Sequence, residues 1–73
     1  MNRDDAIEAI EENLDYCRLK GITQSTVSAE YATGYGTDYA AFIVLAAAKR
    51  GMEATEIEMN GLALTFRLRH LGA

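Results

Sequence analysis

Residues 54–69 read ATEIEMNGLALTFRLR, two alternating runs on either side of Asn60-Gly61. That dipeptide is the preferred centre of a type I′ hairpin turn. A two-residue loop fixes a register. Met59 then faces Leu62, Ile57 faces Leu64 and Thr55 faces Phe66 on one side. Glu58, Glu56 and Ala54 face Ala63, Thr65 and Arg67 on the other. The hydrophobic pattern agrees with the turn, so the segment predicts a β-hairpin with one apolar face. Its wet face carries Glu56, Glu58, Thr65, Arg67 and Arg69, with Glu56 diagonal to Arg67 and within reach of a weak surface ion pair. A sheet with one apolar face has to be covered, and this limits the rest of the chain to a small set of layered arrangements.

The cover is found upstream. Residues 3–20 place Ile7, Ile10, Leu14 and Cys17 at spacings of three, four and three, one face of a helix, which Ala6 widens. Asn2 is positioned as the N-cap and Asp5 stands three residues on, a shorter form of the capping box. Acids in the first turn and Arg18 and Lys20 in the last suit the helix dipole. Gly21 followed by Ile22 is a left-handed stop signal with its apolar contact. Residues 38–50 predict a second helix, capped by Thr37 or Asp38, that ends in the same base-glycine-apolar pattern, KRGM after LKGI. Between the helices, residues 25–35 alternate, with Val27, Ala29, Tyr31, Thr33 and Tyr35 on one face, which favours a strand.

The expectation is an α+β fold, α-β-α-β-β, with a three-stranded, mainly antiparallel sheet and two helices packed on one face. The 25–35 strand can pair with either arm of the hairpin. The alternative is a winged helix-turn-helix: residues 25–33 as the first helix of the motif, Thr37 to Arg50 as the recognition helix, and the Asn60-Gly61 hairpin as the wing. Without a repeat, a linker or any proline, residues 1–73 read as a single domain.

At 73 residues the chain buries only about 60% of the surface it exposes when unfolded, and domains of this size usually need extra support. One cysteine, Cys17, excludes a disulfide framework, and one histidine, His70, gives no Cys/His metal cluster. Self-association is the support that stays open. The acidic opening, MNRDDAIEAIEEN, is unlike a secretory leader, and the longest apolar run is half the roughly 20 residues that span a bilayer. The location expected is the cytoplasm.

The net charge of −4 is uneven: −5 over residues 1–15 and +1 over the remainder. An acidic chain is a poor non-specific binder of nucleic acid, whose affinity comes mostly from phosphate neutralisation. The pair Gly34-x-Gly36 resembles the start of a dinucleotide loop, but Tyr39 stands where a third glycine is needed and Asp38 would repel a phosphate. Asp4, Glu8, Glu11 and Asp15 form a carboxylate ridge on the first helix, a solvated face or a surface for a basic partner. One exposed helix makes no oxygen cage for a metal. Cys17 lies on the apolar stripe, His70 has no nucleophile beside it, and no convergent polar groups suggest catalysis. The expectation is no enzyme and no cofactor.

The run Ala40–Ala48 carries no polar side chain, where a surface helix would show a polar face. Tyr39, Phe42, Ile43 and Ala46 form a bulky side for the sheet. Ala40, Val44, Ala47 and Ala48 form a small-residue side that another helix could approach, continued by Ala41 and Leu45. Tyr31, Tyr35 and Tyr39 stand nearby, and tyrosine is common at interfaces. These features predict a small acidic interaction module. It would be homodimeric and bind another protein, as the small regulators and inhibitors carried by mobile elements do. The alternative function is that of a winged-helix DNA-binding regulator.

Overall fold

A computed structural model describes residues 1–72. The elements are α1 (Arg3–Lys20), β1 (Gln24–Ser28), α2 (Glu30–Tyr35), α3 (Tyr39–Lys49), β2 (Met52–Asn60) and β3 (Ala63–His70). The three strands form one antiparallel sheet in the order β1-β3-β2, with all three helices on its apolar face. The fold is α+β, as the sequence predicts, with one helix more.

α1 matches its sequence signals. Asn2 accepts a hydrogen bond from the Asp5 amide at 2.8 Å. At the other end the Cys17 carbonyl accepts from both Gly21 and Ile22, and Gly21 has φ +67°, a conformation that favours glycine. α3 ends similarly, with Gly51 at φ +73°. Its start differs from expectation: neither the Asp38 side chain nor that of Thr37 caps the helix.

The predicted strand over 25–35 is corrected. β1 stops at Ser28, and residues 30–35 turn into α2. Tyr31 and Tyr35 do share a face, but it is a helix face. A spacing of four satisfies a period of two and a period of 3.6 alike, so the pattern alone could not separate them. Gly34 is helical rather than part of a loop. Its missing Cβ lets α1 lie close, because a methyl there would stand 3.2 Å from the Ala6 Cβ and from the Met1 carbonyl. Gly36, at φ +121°, ends α2.

The hairpin is present, with its frame moved by one residue. Asn60 pairs with Ala63 and Met59 with Leu64, so the loop is Gly61-Leu62. Gly61 at φ +63° is the first central residue, the pattern of a type II′ turn rather than type I′. A bulge between Thr55 and Glu58 then resets the pairing, so that Thr55 faces Arg67 and Ala54 faces Leu68. Glu56 takes φ +52° at this bulge. Its physical reason lies in the apolar positions: Ile57 and Met59 are odd, Met52 and Ala54 even, and only an extra residue turns both pairs toward the helices. Ala54 is therefore buried and Thr55 exposed, the reverse of the expectation.

β1 pairs with β3, Val27 opposite Leu64 and Ser25 opposite Phe66. The core joins Ile10, Leu14 and Cys17 of α1 with Ile43, Ala46 and Ala47 of α3 and with Met52, Leu64, Phe66 and Leu68 of the sheet. The Ser25 hydroxyl is buried and donates to Asn13 Oδ1 at 3.0 Å, so no polar atom is stranded there.

Candidate functional site

α3 is 11 residues long and apolar until Lys49, and it has two different faces. Ile43, Ala46 and Ala47 point into the core, while Ala41, Val44, Leu45 and Ala48 point away from it. The outward set recurs at spacings of three, one and three, a single helical stripe. Val44 is 43% exposed and Leu45 63%. Two of the three inward residues, Ala46 and Ala47, are alanines, which let this half of the helix lie close to its neighbours in the core. That leaves the larger Leu45 on the outside.

The small-residue side expected as an interface is thus divided. Val44 and Ala48 are exposed, Ala40 is half-buried, and Ala47 is fully buried, so Ala47 belongs to the core and cannot meet a partner. The tyrosines are also divided. Tyr31 and Tyr39 are half-buried against the core. Tyr35 stacks on Phe42 with ring centroids 4.6 Å apart and an interplanar angle of 17°. Arg3 covers its other face, 4.3 Å from the ring centre, and donates to the Tyr35 carbonyl at 3.1 Å. A ring closed on both faces is a support for α2 and α3 and has no open face for a partner.

The acidic ridge is half occupied by the chain itself. Arg50, just past the end of α3, places Nε 2.6 Å from Asp15 Oδ1 and Nη2 3.2 Å from Glu11 Oε2. Its Nη1 donates to the Ala46 carbonyl at 2.9 Å. The hydrogen bond to Asp15 raises the guanidinium pKa above its ordinary value, with Glu11 adding to the effect against a cost of burial. Asp4 and Glu8 remain exposed and in no ion pair among the described residues.

The same internal pairing continues on the hairpin. Arg67 Nε lies 2.7 Å from Glu56 Oε2, the ion pair expected from the sequence, and Arg69 Nη2 lies 3.2 Å from Glu53 Oε1. Across α3 and the hairpin, Lys49 is the one base outside an ion pair among the described residues.

A cleft of about 270 Å³ opens between the α2–α3 turn and the hairpin, lined by Ala32, Thr33, Gly36, Thr37, Tyr39 and Met59. Its walls are almost wholly apolar, so it suits an apolar side chain and offers no charge to an ionic ligand. No spacing or motif in the chain marks it, since it depends on the hairpin lying beside the start of α3. Its one legible component is Met59, exposed although it falls on the apolar face.

Gly34 and Gly36 form no phosphate cradle, because one is helical and the other ends α2. Among the described residues no group of three or more His, Cys, Asp or Glu side chains could hold a metal ion. Cys17 is buried in the core, and His70 Nε2 donates to the Ile22 carbonyl at 2.8 Å. No described helix is long and apolar enough to cross a membrane.

The element order, with a three-residue turn between α2 and α3 and a hairpin after them, follows the winged helix-turn-helix alternative, although its first helix runs Glu30–Tyr35 and not over 25–33, where β1 takes Gln24–Ser28. No protein-family model, curated protein or solved structure matches the chain. The likeness is therefore one of connectivity alone, and the functional argument rests on the side chains.

Proposed function

We propose that this chain is a small protein-interaction module that docks through the outward face of α3, Ala41, Val44, Leu45 and Ala48, and works by binding another protein, itself included. One observation carries the reading. The helix that would read DNA in a winged-helix arrangement has an apolar outer face. Contiguous exposed apolar surface on a small domain marks interaction sites. Such a surface gains free energy by leaving water against another apolar surface and gains nothing from phosphates. A regulator or an inhibitor would act in this way, by occupying a partner's surface.

The direct test places a photo-crosslinking residue at position 45 and, as control, at position 58 on the wet sheet face. Crosslinks to a defined partner from position 45, none from 58, and loss of that partner's binding on Leu45→Glu with an unchanged circular dichroism spectrum are the expected results. Partner binding that Leu45→Glu leaves intact overturns the reading.

A second reading follows from the connectivity: a winged-helix DNA-binding regulator. Arg50, Arg67 and Arg69 stand at the end of the would-be recognition helix and on the wing, but each is neutralised by carboxylates of its own chain. With Lys49 as the one unpaired base on these elements, log K against log salt should have a slope of about −1 or shallower. Tight duplex binding with a slope near about −5 would favour this reading over the first.

A further inference from the structure

We infer that the occupant of the α3 face is a second copy of this chain, with the two α3 helices packed antiparallel about a two-fold axis near Val44 and Leu45. The inference rests on the reading of that face as a docking surface and names its partner. An isologous interface must be complementary to itself: residue i meets j, and j meets i. The outward stripe has this property. Read from either end it runs small, large, large, small: Ala41, Val44, Leu45, Ala48. In an antiparallel pair Leu45 meets Leu45 of the second copy on one flank of the stripe and Val44 meets Val44 on the other, while Ala41 meets Ala48 near its centre line. The alanines at both ends let the backbones approach, and the larger residues fill the centre.

The charges at the ends of α3 complete the match. Asp38 precedes the helix, is exposed, and makes no capping hydrogen bond. Lys49 is its last residue, also exposed and in no ion pair among the described residues. At 100° per residue the two lie within about 20° of each other, on the same flank of the apolar stripe. In an antiparallel pair a flank faces the same flank of its mate, so Asp38 of one copy meets Lys49 of the other, twice. With the axis midway between Val44 and Leu45, their offset along the helices is about 3 Å, within the reach of a lysine. A parallel pair would instead set this charged flank against the opposite flank of its mate and leave Asp38 and Lys49 unmatched across the seam.

α3 is about 16 Å long, so one such helix pair buries less than a standard interface and the dimer should be weak, with Kd in the range of about 10–500 μM. Sedimentation equilibrium over that range, with circular dichroism as a check on folding, is the measurement. Wild type should dimerise, and Leu45→Glu should weaken the dimer by about 100-fold or more. Asp38→Lys and Lys49→Asp should each weaken self-association by about tenfold, because each sets like charges opposite one another. Mixed one to one, these two variants should pair with each other better than either pairs with itself, and the double variant should recover the wild-type Kd.

A chain that stays monomeric to 1 mM overturns the dimer, while the crosslinking experiment still decides the docking reading on a different partner (about 1 mM being the weakest affinity considered). A dimer that survives Leu45→Glu, or charge variants that show no recovery on mixing, overturns the antiparallel α3 seat.

Discussion

Replacing Arg50 with methionine should destabilise the fold by about 2 kcal/mol. Methionine keeps the apolar stem, so the change isolates the charge and its hydrogen bonds. The Arg50 side chain is only 18% exposed, but its partners Glu11 and Asp15 are 40% and 64% exposed, and solvent screens them. Each ion pair is then worth about 0.5 kcal/mol, and the bond to the Ala46 carbonyl, at the negative end of α3, about 1 kcal/mol. For a domain this size each 1 kcal/mol moves Tm by about 4–8 °C, so the expected drop is roughly 8–16 °C. The raised pKa also has a sign. A cation whose pKa rises on folding contributes stability that is lost only as pH climbs through the folded value, here above the ordinary arginine range. The Arg50→Met deficit should therefore not vary with pH on the guanidinium's account at neutral or mildly alkaline pH. Thermal melts of wild type, Arg50→Met, Asp15→Asn and the double variant close a cycle, with a coupling of about 0.5–1 kcal/mol expected between Arg50 and Asp15. A Tm change below about 3 °C, or no coupling, would refute the claim that this arginine clamps α3 to α1.

Three further outcomes follow from burial and backbone geometry. Ala47→Glu sets a carboxylate in the core and should unfold a domain whose whole stability is about 4–11 kcal/mol, whereas Ala48→Glu should stay within about 0.5 kcal/mol of wild type; far-ultraviolet circular dichroism separates them. Glu56→Gly should be close to neutral in urea melts, since relief of a positive φ offsets the lost ion pair with Arg67, while Glu58→Gly on an ordinary strand residue should cost about 1 kcal/mol. Gly34→Ala should lower Tm by about 4–8 °C despite the better helix propensity, because its methyl would meet Ala6 on α1 at 3.2 Å.

Where local chemistry and tertiary packing agree, the fold is legible in the residues. The Asn2 cap, the Gly21 and Gly51 stops and the pairing of apolar faces on β3 all follow from short-range rules. Where two periods coincide, legibility ends: Tyr31 and Tyr35 fit a strand and a helix equally. The bulge was written in the sequence as a break in parity, Met52 and Ala54 against Ile57 and Met59, but the Asn60-Gly61 turn signal drew the frame one residue too early. On α3 the apolar run showed that some of it must face outward. It did not show which residues, because alanine carries no marker of side. Only the position of the sheet decided that Ala47 is covered and Leu45 is not. The Arg50 clamp was hidden for a related reason: its partners lie 35 and 39 residues away, and no spacing rule links them.

The use of charge in this molecule joins fold to function. Connectivity places a helix-turn-helix and a hairpin where a DNA-binding domain would have them, and arginines do stand at the matching places, at positions 50, 67 and 69. Each is turned inward on its own chain: to Asp15 and Glu11, to Glu56, and to Glu53. Binding phosphate would require breaking these pairs and stranding carboxylates beside the new anion, a cost on both sides of the exchange. Meanwhile the outer face of α3, Ala41, Val44, Leu45 and Ala48, carries no polar side chain. On the proposed reading, neutralised arginines and an apolar outer helix act in the same direction: they weaken the attraction of these elements to a polyanion and favour short-range apolar contact. That contact is independent of sign and works equally well against a foreign protein or a second copy. In the proposed dimer, Asp38 and Lys49 beside it fix the orientation of a contact whose larger share of affinity comes from the apolar stripe.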